Sequence, residues 1–159
     1  MAKKQSRRTA TVRLDLQWGP DLDQDDWPLS RPRIRRLIQA SLPSACRSAD
    51  ITVRIVGRKE GKLLNTTYRG KSYATNILTF PYDAPPQLRT DLVLCLPVIL
   101  AEAKQQKKAP DHHCAHLLVH GVLHACGLDH DESSAAEAME ALETAILRRF
   151  RIANPYLTT

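Results

Sequence analysis

Residues 111–130 read DHHCAHLLVHGVLHACGLDH. The apolar run that starts after Asp111 predicts a buried helix ending at Gly127, and a further helix is predicted over about 132–149. The last third of the chain is therefore helical. Strand patterns fill the first two thirds instead, and that segregation predicts an α+β domain.

Upstream of the quoted stretch, Val12, Leu14 and Leu16 alternate with Arg13 and Asp15, the period of a half-buried strand, which stops at Trp18, Gly19 and Pro20. Ser30 is placed to cap a helix and Pro32 suits its first turn. Ile34, Leu37 and Ile38 share one face of that helix, and arginines fill the other. Ile51, Val53 and Ile55 form a second alternating strand. Leu63, Leu64 and Tyr68 then supply an apolar helical stripe after Gly61, stopped by Gly70. Residues 76–82 and 92–96 read as two further strands joined by a loop with Pro85 and Pro86, and Pro97 opens a helix to about Gln106.

A chain of 159 residues without repeats suits one domain. Residues 1–10 are expected to be a basic flexible N-terminus and residues 11–155 a single domain. No run of about 18 apolar residues occurs, and no apolar stretch follows the basic N-terminal residues, so neither a membrane span nor a signal peptide is expected. A soluble cytoplasmic protein is the expectation. Cys46, Cys95, Cys114 and Cys126 are spaced too widely for a zinc ribbon or a redox pair and read as small core residues. Twenty-three Lys and Arg against seventeen Asp and Glu give +6, which favours a polyanionic partner. The bias clusters at Lys3, Lys4, Arg7 and Arg8, and again at Arg31, Arg33, Arg35 and Arg36. Each cluster by itself reads as a frayed tail or a solvated helix face.

His120 and His124 are four residues apart, so they project from one helical face, about 40° apart, and two imidazoles reach one ion. Gly127 can reverse the chain and bring His130 to the same point. Three protein ligands with an open position is the catalytic zinc pattern, whereas structural zinc sites close all four positions. The spacing equals that of the metzincin proteases, whose general base is a Glu after the first His; here that position is Gly121. Without a positioned acid–base group, about 100- to 10,000-fold in rate is lost, which disfavours an efficient protease.

The segment HLLVHGVLHACGLDH closely resembles the signature of the YbeY family of bacterial endoribonucleases, His-Gly-x-Leu-His-x-x-Gly-x-Asp-His. A second block resembles the same family's Asn-x-x-Tyr-Arg-Gly segment and the strand after it: Asn65, Tyr68, Arg69, Gly70 and Lys71, then Thr75-Asn76-Ile77-Leu78-Thr79-Phe80. The resemblance spans about residues 12–150. Thr90 stands where the family often has Gly, and Ala125 and Leu128 replace commoner Leu and Tyr. The resemblance implies an α+β fold with a four-stranded mixed sheet packed by about five helices, and one zinc ion on His120, His124 and His130. It further implies single-strand-specific cleavage of ribosomal RNA, in maturation of the 3′ end of 16S RNA and in ribosome quality control. The implied partners are the small subunit and its assembly factors; oligomeric state is not legible.

Zinc would lower the pKa of its water toward about 7 and polarise a phosphoryl oxygen. The resemblance places Arg69 in the active groove, where a guanidinium pairs with two phosphate oxygens. His120 and Arg69 are thus the candidate catalytic residues, and Arg69 and Lys71 the candidate substrate contacts. Asp129 and Asp131 flank His130, and either could orient a ligand histidine. Two other readings stay open: a ribosome-assembly RNA-binding module with structural zinc, and, on spacing alone, a metalloprotease.

Overall fold

The computed structural model describes residues 9–128 and 133–157. Strand β1 (Thr11–Trp18) leads through a short 3-10 turn to helix α1 (Arg31–Ser41) and strand β2 (Ser48–Val56). Helix α2 (Arg58–Arg69) precedes the hairpin of β3 (Ile77–Asp83) and β4 (Gln87–Cys95). Helices α3 (Leu96–Gln105), α4 (Pro110–Ala125) and α5 (Ser133–Arg148) complete an α+β fold. The sheet order is β1-β2-β4-β3, with β1, β2 and β4 parallel and β3 antiparallel at one edge. Among the described residues no helix is long and apolar enough to cross a membrane.

Side chains alternate across the strands, so the sheet has two covered faces. Leu14, Ile51, Val53, Ile55, Leu92 and Leu94 join the larger core with α1, α4 and α5. Val56, Leu78, Val93 and Cys95 point the other way, toward Leu64 of α2. Helices α2 and α4 therefore lie on opposite faces of the sheet.

Helix α1 starts as expected, with the Ser30 hydroxyl accepting from the Arg33 amide and Ile34, Leu37 and Ile38 buried. Its arginine face is not simply solvated. Arg31 donates to the Leu14 carbonyl at 2.7 Å, Arg35 to Val12 at 2.6 Å, and Gln39 to Ala10 at 3.2 Å. Four helical residues rise about 6 Å and two strand residues about 6.6 Å, so side chains spaced by four match carbonyls spaced by two. The outer edge of β1 is thereby covered rather than left as a pairing template. Arg33 lies over the Phe150 ring at 5.5 Å.

Of the expected α2 stripe Leu64 packs on the sheet, whereas Leu63 and Tyr68 are each 64% exposed and the fully buried positions are Gly61 and Asn65. Gly61 permits the close approach, since a Cβ there would lie 3.1 Å from the Cys95 sulfur. Asn65 donates to the Tyr73 carbonyl at 2.7 Å, tying down the loop after the helix, which Gly70 ends at φ 67°. Strand β4 begins at Gln87 rather than at Leu92, because buried Leu88 and Thr90 already alternate beside β2.

Candidate metal centre and active site

Helix α4 is covered by the sheet and by α1, α3 and α5, which is why Cys114, Ala115, Leu117, Leu118, Val119, Val122 and Leu123 are all buried. Its polar exceptions at 113, 116, 120 and 124 recur every three or four residues and form a single stripe. His120 and His124 follow one another along it, rings 6.5 Å apart and 21° from parallel. The pair expected from the sequence is therefore assembled on one side of one helix.

Nδ1 of His120 lies 2.7 Å from Oε1 of Glu143, a fully buried carboxylate on α5. Nε2 of His116 lies 2.8 Å from its other oxygen, to which the Tyr156 hydroxyl also donates. Burial pushes the Glu143 carboxyl up, but the hydrogen bonds from His116, His120 and Tyr156 outweigh it and hold the group at about 2. A carboxylate accepts only, so the ring nitrogen of His120 that faces Glu143 carries a proton, the orientation in which ligating histidines are held. The sequence reading missed Glu143, though the signal was present: it shares the buried stripe of α5 with Met139, Ile146 and Leu147.

Gly127 adopts φ 98°, and the Leu128 amide returns to the Leu123 carbonyl at 3.2 Å, so α4 ends in the expected chain reversal. His130, with Asp129 and Asp131, lies outside the described residues. Among the described residues, no group of three His, Cys, Asp or Glu side chains could hold an ion. The two imidazoles on one stripe, one of them oriented by a carboxylate, are a donor pair of the kind that divalent transition metals take. Cys126 is not on the His120 and His124 face, and burial, with a smaller contribution from Cys46, pushes its thiol up to about 11.

Gly121 faces the sheet. A Cβ at this position would sit 2.6 Å from Cδ1 of Ile77 and 3.3 Å from Cδ2 of Leu92. The position that carries the general base in the proteases is here a contact between helix and sheet.

Arg69, at the exposed end of α2, donates to Oδ1 of Asn65 at 3.5 Å. Lys71 is exposed on the following loop, its carbonyl accepting from the Thr66 hydroxyl at 2.9 Å. Neither residue makes a hydrogen bond to His120 or His124 among those between described residues; the sheet separates α2 from α4. Tyr68 packs edge-on to Phe80 at 5.1 Å, and Arg89 lies 5.2 Å over Tyr82, while Tyr68, Tyr73 and Tyr82 are all exposed.

The family described as endoribonuclease YbeY matches residues 22–151. The chain belongs to the YbeY endoribonuclease family. An endoribonuclease YbeY from Verminephrobacter eiseniae is 50% identical over 145 residues, covering 90% of this chain and 92% of that protein. Another member, from Methylibium petroleiphilum, is 51% identical over 145 residues and is covered to 94%. A solution structure of a Thermotoga maritima protein aligns with a TM-score of 0.57 at 17% identity, covering 86% of this chain and 91% of that one. That last likeness shows the shared fold.

Proposed function

We propose that this YbeY family member is a zinc-dependent endoribonuclease that cuts single-stranded ribosomal RNA, with His120, His124 and His130 holding one ion. The observation that carries the reading is the buried carboxylate on Nδ1 of His120, with the ring of His124 next along the same stripe. A divalent ion bound there supplies Lewis acidity toward a phosphoryl oxygen and an acidified water. His120 is catalytic in the sense that it presents this ion to the substrate.

Arg69 supplies charge-assisted hydrogen bonds to phosphate oxygens, and Lys71 adds a second cation on the same loop. β3 is an edge strand with α4 against one face and α2 against the other. One RNA strand crossing that edge would meet both Arg69 and the histidines. The exposed Tyr68 and Tyr82 rings suit stacking on unpaired bases, which have π-faces whatever their sequence. The +6 charge favours the encounter with a polyanion. Within the cell, the substrate we propose is the 3′ end of 16S RNA on small subunits, in the cytoplasm, during maturation and quality control. Assembly factors of the small subunit are the proposed protein partners.

The test is cleavage of a defined single-stranded RNA by zinc-loaded protein beside His124→Ala, Arg69→Ala and Tyr68→Ala, with zinc content and circular dichroism followed in parallel. Folded His124→Ala should lose both zinc and cleavage. Arg69→Ala should keep zinc and lose cleavage. Tyr68→Ala should bind RNA about 5- to 100-fold more weakly, the equivalent of one stacked base. Equal cleavage in all four proteins overturns the proposal. RNA bound but uncut by wild type, with unfolding on zinc removal, favours the binding module instead.

A further inference from the structure

Beyond the ion's ligands, the segment after α5 returns to the histidine stripe. Ile152 is buried, the Tyr156 amide is held by Oδ1 of Asn154 at 2.8 Å, and Lys108 donates to the Pro155 carbonyl at 2.5 Å. The tail is thus pinned against the turn that precedes α4. Its Tyr156 ring meets His116 edge-on at 5.3 Å, and its hydroxyl donates to Oε2 of Glu143. The same oxygen accepts from Nε2 of His116, while Oε1 takes Nδ1 of His120. Each carboxylate oxygen therefore has its donors from a defined side. Glu143 cannot turn away from His120 without breaking the bonds from His116 and Tyr156.

We infer that residues 152–157 form a positioning strap for the metal centre, in which Tyr156 and His116 fix Glu143 and Glu143 in turn fixes the ring of His120. Tyr156 is a positioning residue, acting on the ion through two intervening side chains. Its removal loosens the aim of Nε2 without touching a ligand. The inference rests on the metal reading above.

The experiment measures zinc affinity by competition with a chromophoric chelator, and the visible absorption of the cobalt-substituted protein. The proteins are wild type, Tyr156→Phe, Glu143→Gln and His124→Ala, each checked for folding by circular dichroism. Tyr156→Phe keeps the ring against His116 and removes only the hydroxyl, so it carries the test even if Glu143→Gln does not fold. Glu143→Gln should weaken zinc binding about 10- to 100-fold, as loss of a partner to a ligating histidine does. Tyr156→Phe should weaken it about fivefold, one hydrogen bond's worth, and shift the cobalt spectrum. Wild type and His124→Ala binding equally would overturn the metal reading itself. His124→Ala losing zinc, while folded Tyr156→Phe matches wild type in affinity and spectrum, would overturn the strap alone.

Discussion

Restoring the proteases' glutamate at Gly121 separates the spacing of the histidines from the environment of the helix that carries them. Gly121→Ala adds one methyl against Cδ1 of Ile77 at 2.6 Å, the far end of a side chain that is only partly buried. Replacing Gly by Ala in a helix interior contributes about 1 kcal/mol of stability, which offsets a comparable cost of displacing that methyl. Gly121→Ala should therefore melt within about 3 °C of wild type. Gly121→Glu places one further methylene and a carboxyl group between Ile77 and Leu92. Overpacking costs about 1–3 kcal/mol and an unpartnered polar group about 1–3 kcal/mol more. Less the helix gain, the net loss is about 3 kcal/mol, or roughly 6–12 °C in a domain of this size. Thermal unfolding of the three metal-free proteins, with casein hydrolysis assayed at a temperature where all are folded, gives the comparison. A Gly121→Glu protein that melts with wild type and gains casein cleavage abolished by His124→Ala would refute the packing argument.

His113 is buried on α4, with Nε2 3.0 Å from Oε1 of Glu102. Burial lowers its pKa below the ordinary 6.5, although Glu102 pulls the other way. Below about pH 6.5 the unfolded chain takes up a proton that the folded chain refuses, so stability falls with pH down to the folded pKa. Urea unfolding of His113→Gln should show a shallower acid-side loss than wild type, by at most about 1.4 kcal/mol per pH unit, and equal slopes would refute this. Arg35→Ala should cost about 1 kcal/mol through the lost bond to Val12, seen as a fall of about 2–4 °C in Tm. Arg36→Ala removes the neighbouring charge but no hydrogen bond among the described residues, and should leave Tm unchanged.

Particular residues show where legibility in the sequence ended. The spacing of Ile34, Leu37 and Ile38 marks the buried side of α1, but the same helix's arginines look like any solvated face until β1 lies alongside to receive them. Leu63 and Tyr68 imitate a core stripe, and α2 instead turns Gly61 to Cys95 and Asn65 to the Tyr73 carbonyl, partners that lie on other elements. Glu143 sits at a core position of α5, yet only the donors from His116, His120 and Tyr156, brought to it by other parts of the fold, turn a costly buried charge into a satisfied one.

The sequence by itself determined the α+β order of elements, the buried helix ending at Gly127, the pairing of His120 with His124, and the family, because periodicity and short motifs are local properties of the chain. Tertiary structure alone decided that Gly121 meets the sheet, that Arg31 and Arg35 cover an edge, and that Glu143, His116 and Tyr156 converge behind His120. Those contacts join residues 13 to 44 positions apart. Their energies depend on burial and direction, which exist only once the layers have packed.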